Sequence, residues 1–212
     1  MAKTVSSLCA IAALCVLFAA PAARANPATE AFIQQNFDQG YAILNNASLS
    51  DAERREQFGS LLLGLAASRR IALFTLSPYG ASAAPADIDA FVAAFTRYSI
   101  AVYEKALDRF KGQTLKVSGS ADRASDDSLV RAELANANGP PLLVAFRVRR
   151  DENGAPTLTD IQIEGVSLAG TERDDFTAFL KQHNGAIAEL VKNLDALSEK
   201  LAAKAETASA EN

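Results

Sequence analysis

The side chains that could perform chemistry in this 212-residue sequence are few. His183 is the only imidazole. It stands beside Asn184 and Gly185 at a predicted helix junction, where a histidine is far more often a capping residue than a general base. The adjacent carboxylates Asp126–Asp127 and Asp174–Asp175 lie at a predicted turn and a predicted helix start, where Asp is locally favoured. No glycine-rich loop joins a strand to a helix, so a nucleotide site has no candidate. These features indicate a protein that is not an enzyme.

Arginines form two groups that could bind an acidic partner or anionic lipid headgroups. The pairs Arg54–Arg55 and Arg69–Arg70 lie on predicted helices, and three arginines in the segment Arg147–Arg150 lie on a predicted strand and its end. We interpret both groups as solvated faces, because exposed ion pairs usually contribute little. The chain has 21 Lys+Arg against 25 Asp+Glu, a formal net charge of −4, which excludes the usual kind of basic nucleic-acid-binding protein.

Residues 1–25 have the three-part pattern of a secretory signal peptide. Lys3 supplies a positive charge, Leu8–Ala20 is an uncharged apolar run, and Ala23–Ala25 is a small-x-small cleavage signature. A membrane span needs about 20 apolar residues, so an uncleaved anchor is the weaker alternative. Cleavage would remove both cysteines of the chain, which leaves no disulfide and no thiolate metal site. We therefore expect an exported protein without a metal or another cofactor.

We expect one domain over residues 26–204 and a flexible tail over 205–212. The sequence pattern changes from helical to strand periodicity and back. Four helices are predicted first, and the clearest begins at Pro85 and runs for roughly 25 residues. Strands with period two follow over 114–118, 130–134, 142–148 and 158–168. Two further helices are predicted, one capped by Thr171–Asp174 and one over Gly185–Ala203. Successive strands with short turns indicate an α+β fold with an antiparallel meander of about four strands packed against several helices.

Apolar residues give the only positive indication of function. The strand faces carry Val, Leu, Ile and Phe, and the long helix presents Phe91, Phe95 and Val102. A sheet covered by helices would normally pack solid, and periodicity does not distinguish a solid core from a ligand cavity. Two alternatives stay open: a secreted adaptor that binds a protein partner, and an enzyme of cone-shaped α+β fold that acts on an apolar substrate. The enzyme would need a buried acid–base pair, and no predicted strand shows Asp or His on its apolar face.

Specific sequence stretches give more information about function than composition does. They are FGSLL at Phe58–Leu62, RIA at Arg70–Ala72, DAFVAAFTRYSIAVY at Asp89–Tyr103, GQTL at Gly112–Leu115 and DIQIEGVSL at Asp160–Leu168. Together with Phe176 and the leucine-rich final helix, these stretches resemble the MlaC/toluene-tolerance family of periplasmic phospholipid-binding proteins, over residues 30–200. The chain departs from the family pattern in having no Trp and in carrying LSPY at Leu76–Tyr79, where the family often has Leu-Gly-x-Tyr.

The resemblance implies a periplasmic shuttle that holds a phospholipid, or a related lipid such as a hopanoid, by its acyl tails in a pocket between the sheet and the helices. It also implies exchange of that lipid with an inner-membrane ABC transporter and an outer-membrane lipoprotein complex, which maintains outer-membrane lipid asymmetry. A monomer without catalytic residues is sufficient for this role. The residues that we expect to face the pocket are Phe91, Phe95, Val102, Val144, Phe146, Val148, Ile161, Ile163 and Val166.

Overall fold

The computed structural model describes residues 25–110, 113–135 and 139–210, and it confirms the α+β class. The helices are α1 Pro27–Leu44, α2 Asp51–Leu65, α3 Ser68–Thr75, α4 Pro85–Phe110, α5 Leu168–Gln182 and α6 Ile187–Ala210, with a short 3-10 helix at Tyr79–Ser82. Residues 1–24 of the predicted signal peptide lie outside the described range. The domain boundaries expected at residues 25 and 205 stay predictions, although α6 itself continues into the expected tail. None of the described helices is both long and apolar enough to cross a membrane.

Local capping signals fix where the helices begin. Ser50 and Glu53 form the predicted capping box at the start of α2. The Ser50 Oγ accepts from the Glu53 backbone N–H at 3.3 Å, and the Glu53 carboxylate accepts from the Ser50 backbone N–H at 2.8 Å. Pro85 occupies the first turn of α4, also as predicted. The starts of α2 and α4 are therefore encoded by local sequence.

The sheet is an antiparallel meander of five strands in the order β1-β2-β3-β4-β5. The strands are β1 Leu115–Ala124, β2 Asp127–Leu134, β3 Leu142–Arg150, β4 Pro156–Ile163 and β5 Val166–Ser167. Paired residues share a face of the sheet, so the register of Val130 with Phe146 and of Phe146 with Ile161 aligns apolar side chains across three strands. The predicted meander is confirmed, and this aligned face is its apolar face.

The strand predicted over 158–168 is wrong, because the segment forms two strands joined by a tight turn. Glu164 and Gly165 have φ values of 50° and 82°, the positive φ at both central residues that a type I′ hairpin turn requires. Only two residues remain for β5, and the Ser167 side chain then accepts a backbone N–H and starts α5 at once. The predicted helix cap at Thr171–Asp174 is therefore wrong, because the N-cap of α5 is Ser167, four residues before Thr171.

Two hydrophobic clusters stabilise the domain. The helical cluster joins α3, α4, α5 and α6. At its centre the fully buried Phe91 meets Phe176 edge to face, with 5.9 Å between ring centroids. The sheet cluster packs Ile33 of α1 against the apolar face of the sheet, where Val130 and Val148 are buried. The two clusters share no member, so the boundary between them is a natural place for a cavity.

The opposite face of the sheet carries ion pairs. Arg147 donates two hydrogen bonds of 3.0 and 2.6 Å to the Asp127 carboxylate, and Arg149 donates one of 2.6 Å to Asp126. The Arg147 guanidinium beside Asp127 holds the pKa of that carboxyl below its usual range. Arg147 and Arg149 are thus paired with carboxylates of the same chain, which agrees with our interpretation of this arginine group as part of a solvated face.

Candidate functional site

A mainly apolar cavity of about 260 Å³ lies at the seam between the two clusters. The helical cluster contributes Ile71 and Phe95 to its wall, and the sheet cluster contributes Leu65 and Ile161. The rest of the wall comes from the end of α2, the middle of α4, strand β4 and the start of α5. We call this space the seam cavity. It is the place where strand β4 and the four helices α2, α3, α4 and α5 approach one another without filling the space between them.

Three of the nine predicted site residues line the seam cavity: Phe95 and Val102 on α4 and Ile161 on β4. Phe95 and Val102 are seven residues apart, about two helical turns, so they lie on the same side of α4. The segment after α2 is tied to β4, because the Ala67 backbone N–H donates to the Leu158 carbonyl at 2.9 Å. The fold therefore brings these residues together from distant parts of the chain. Their contact with a lipid stays a prediction.

Four more predicted residues lie in the cores instead. Phe91 has no exposed surface and is the centre of the helical cluster, four residues before Phe95 on α4. Val144, Phe146 and Val148 belong to the sheet cluster under α1. They do not line the seam cavity, because it lies beside β4 and not over the middle of the sheet. Core and cavity walls use the same residue types, so strand alternation did not separate them.

The last two predicted residues lie at the β4–β5 hairpin. Ile163 and Val166 pair across the tight turn and are 39% and 59% exposed. Neither lines the seam cavity. The short β5 and the immediate start of α5 leave this hairpin uncovered, which is a consequence of the turn at Glu164 and Gly165 that the sequence analysis did not anticipate.

The four titratable residues of the wall were not among the predicted site residues: Tyr98, Tyr103, Asp160 and Glu172. The Tyr98 hydroxyl donates to Glu172 Oε1 at 3.4 Å, and the Asp160 carboxylate accepts from the Ala169 backbone N–H at 3.2 Å. Burial raises the pKa of Glu172. Burial and the nearby Glu172 carboxylate raise the pKa of Tyr98 to about 12 and also raise that of Tyr103. Both phenols are therefore neutral hydrogen-bond donors at neutral pH.

The sequence pattern could have predicted only some of these four residues. Phe95, Tyr98 and Val102 follow the i, i+3, i+7 spacing, so a phenol on the apolar stripe of α4 could have been placed at the wall. Asp160 and Glu172 gave no such signal, because they reach the cavity through the packing of α5 against β4. Tertiary packing, not local pattern, positions the two carboxylates.

A second concavity, of about 770 Å³, lies between α1 and α2. Its volume is larger than that of the seam cavity, but its wall is mixed and includes the polar residues Asn36, Gln39, Glu53, Glu56 and Gln57. Burial of an acyl chain is stabilised in proportion to the apolar surface that is removed from water. This groove therefore stabilises a bound chain less than the seam cavity does. We therefore take the smaller, apolar seam cavity as the candidate site.

The histidine singled out from the sequence has a structural role. His183 ends α5, stacks on the Phe179 ring at 3.9 Å between centroids, and has its Nδ1 2.8 Å from the Phe179 carbonyl oxygen. This is the capping position that the sequence indicated. Within residues 25–110, 113–135 and 139–210, no group of three or more His, Cys, Asp or Glu side chains is arranged to hold a metal ion.

Comparison with known proteins gives a family and a similar solved structure. The family model described as MlaC protein matches residues 34–196, which is most of the chain. Among solved structures, the chain is similar to a phospholipid-binding protein from Ralstonia solanacearum, determined in complex with a phospholipid. The two share 23% sequence identity with a TM-score of 0.70, and the match covers 82% of this chain and 98% of that one. The structural likeness shows a shared fold, and the family match includes all segments that form the seam cavity.

Proposed function

The chain belongs to the MlaC family, and on that premise we propose that it is a non-enzymatic carrier that holds a lipid by its acyl tails in the seam cavity. The cargo is a phospholipid or a related lipid such as a hopanoid. The carrier moves this cargo between the outer and the inner membrane and so maintains the lipid asymmetry of the outer membrane. The predicted signal peptide supports a periplasmic location.

The observation that carries the proposal is the apolar wall of the seam cavity, to which Phe95, Val102 and Ile161 contribute. Two acyl chains hold about 30 methylenes, and exposing each to water costs about 0.8 kcal/mol. Moving a free lipid through the water between the two membranes therefore costs more than about 20 kcal/mol. An apolar cavity removes most of that cost. A bilayer removes it as well, so transfer between the cavity and a membrane is nearly balanced in free energy.

The seam cavity has to enlarge to accept a lipid. Its volume of about 260 Å³ is below the range of about 300–1,000 Å³ for most small-molecule pockets, so it holds only part of an acyl chain. Helix α2 forms one side of the cavity, and among its residues only Gly59, which faces Ile100 of α4, is buried. Few buried contacts therefore oppose a movement of α2 away from α4. We propose that this movement admits the lipid.

Direction of transport has to come from partners, because the cavity and the membrane hold a lipid about equally well. The partners that we propose are an inner-membrane ABC transporter, which can use ATP on the cytoplasmic side, and an outer-membrane lipoprotein complex. A monomeric carrier with one cavity is sufficient for exchange with both. Membership of the MlaC family supports this arrangement.

One observation bears on a second candidate function, an enzyme that acts on an apolar substrate. The sequence analysis set it aside because no acid stood on the apolar face of a predicted strand. Asp160 pairs with Arg147 on the opposite face of the sheet and Glu172 lies on α5, so that premise holds, but both residues line the seam cavity. The single histidine caps α5 instead of meeting either carboxylate, and the family membership favours the carrier.

Organic extraction of the purified secreted protein, followed by mass spectrometry, tests the carrier. We expect a phospholipid or a hopanoid in stoichiometric amount, because an apolar cavity that opens to admit a lipid stays filled during purification in water. Extracts that contain no lipid in several independent preparations would favour the adaptor that binds a protein partner. Extracts that contain an apolar small molecule, consumed on incubation with the protein, would favour the enzyme.

A further inference from the structure

Asn26, the residue directly after the predicted signal-peptide cleavage site, is held by contacts from distant parts of the chain. Its Oδ1 accepts from the Thr29 backbone N–H at 3.3 Å and caps α1. Its Nδ2 donates to Asp122 Oδ1 at 3.0 Å and to Ser128 Oγ at 3.2 Å, on strands β1 and β2. The first residues of a domain are usually poorly ordered unless they are tied down, so these bonds fix the place where a cleaved chain would begin.

The backbone nitrogen of Asn26 lies close to two carboxylates. Its N–H donates to Ser120 Oγ at 2.7 Å, and the Ser120 hydroxyl donates in turn to Glu30 Oε1 at 2.6 Å. Ser120 is only 7% exposed, so its hydroxyl is largely shielded from water. Asp122, two residues beyond Ser120 on β1, supplies the second carboxylate and already accepts from the Asn26 side chain. Within the described part of the chain, no cationic side chain is bonded to Glu30.

Cleavage would change the chemistry of this nitrogen. In the uncleaved chain it is an amide with a single N–H, which Ser120 satisfies. Hydrolysis breaks the C–N bond between Ala25 and Asn26. The Ala25 carbonyl carbon takes the oxygen of one water and becomes a carboxylate, and the nitrogen takes both protons of that water. The product is an α-ammonium with three N–H donors, which is mainly protonated at neutral pH.

We propose that Ser120, Glu30 and Asp122 form a binding site for the terminal ammonium that cleavage creates at Asn26. One N–H keeps the bond to Ser120, and the other two are available to the carboxylates of Glu30 and Asp122. Hydrogen bonds that involve charged groups are about twice as strong as neutral ones. A cation at the N-terminus of α1 opposes the helix dipole, and the two carboxylates offset that effect. Cleavage therefore attaches α1, which packs on the apolar face of the sheet, more firmly to β1.

Two versions of the mature protein test the ammonium site, and they differ only in their first residue. Both are released from the same cleavable fusion partner. One starts at Asn26, and the other starts at Ala25, which gives the same net charge but leaves the Asn26 nitrogen as an amide. We expect the midpoint of thermal unfolding to be about 2–5 °C higher for the version that starts at Asn26. Mass spectrometry of the protein secreted with its own signal peptide should show a chain that begins at Asn26.

Two conservative variants, made in both versions, assign the difference to the carboxylates. Glu30→Gln keeps an oxygen for the Ser120 hydroxyl, and Asp122→Asn keeps one for the Asn26 side chain, while each removes a charge. Each should reduce the difference in melting midpoint between the two starts. A general loss of stability cancels, because the two proteins compared carry the same substitution. Glu199→Gln, on the exposed face of α6, is the matched control and should leave the difference at its original size.

Three outcomes would overturn the ammonium site. The first is an equal melting midpoint for the two starts. The second is a difference that keeps its size in both Glu30→Gln and Asp122→Asn. The third is a secreted protein whose first residue is not Asn26, because its ammonium would then lie elsewhere. The inference rests on the predicted signal peptide and not on lipid binding, so none of these results alters the lipid content expected in the organic extract.

Discussion

Replacement of Ile161 by Trp should leave the protein folded but nearly empty of lipid. Ile161 lines the seam cavity from β4, and the indole ring would take the space that an acyl chain needs. Extra volume in a packed site costs about 1–3 kcal/mol, which lowers lipid affinity by roughly ten- to a hundredfold. The measurement is the amount of lipid per mole of protein in the organic extract, with circular dichroism to verify that the helix content is retained.

Ile163→Trp is the matched control for this variant. Ile163 has the same side chain two residues further along the same strand, and it pairs on the same face of the sheet, but it is 39% exposed and outside the cavity. The larger ring should therefore project into solvent and leave the lipid content at the wild-type level. Equal loss of lipid in both variants, or a full lipid load in Ile161→Trp, would contradict the location of the site.

Phe91→Ala should cost about 3–5 kcal/mol of unfolding free energy, the largest stability loss expected from any single truncation in the helical cluster. Phe91 has no exposed surface, and its ring meets Phe95 at 6.0 Å and Phe176 at 5.9 Å between centroids. The cavity left behind would lie between α4 and α5, where neither helix can move in without disturbing the aromatic contacts. Urea unfolding of wild type and variant measures the loss.

Phe74→Ala serves as the control for Phe91→Ala. Phe74 is 43% exposed on α3, and its recorded ring contact is with the Arg173 guanidinium, 5.1 Å from the ring centroid. Its truncation should cost about 1 kcal/mol or less. Since Phe91 does not line the seam cavity, the fraction of Phe91→Ala that stays folded should still carry lipid. Similar stability losses for the two variants would contradict the central position of Phe91 in the helical cluster, and a folded Phe91→Ala without lipid would contradict its position outside the cavity wall.

Local patterns predicted the helices and the order of the strands, because capping residues and side-chain periodicity act over a few residues. The errors fall where a glycine changes the backbone direction. At Gly119, with φ 140°, the predicted first strand stopped, whereas β1 continues through an irregularity in its pairing with β2. At Gly165 the alternation of apolar and polar residues in the sequence is unbroken, whereas the chain turns back. Neither change alters the hydrophobic pattern from which strands were predicted.

The candidate site was predictable only in part, for a different reason. Phe95 and Val102 follow from the apolar stripe of α4, but Phe91 lies on the same stripe and belongs to the core. Which part of a stripe meets a cavity depends on how α2 and β4 approach α4, and that is a tertiary property. The same limit applies to Glu172, whose place in the wall depends on the start of α5 at Leu168.

The central claim is that an acyl tail of the cargo occupies the seam cavity. Photo-cross-linking with a phospholipid that carries a diazirine near the end of one acyl chain, followed by peptide mapping, tests it most directly. The account predicts labelled residues within Ser99–Tyr103 of α4 and Leu158–Ile161 of β4, which face each other across the cavity. Labels confined to the α1–α2 groove at Asn36–Ile43, or a protein that takes up the lipid without any label in α4 or β4, would contradict it.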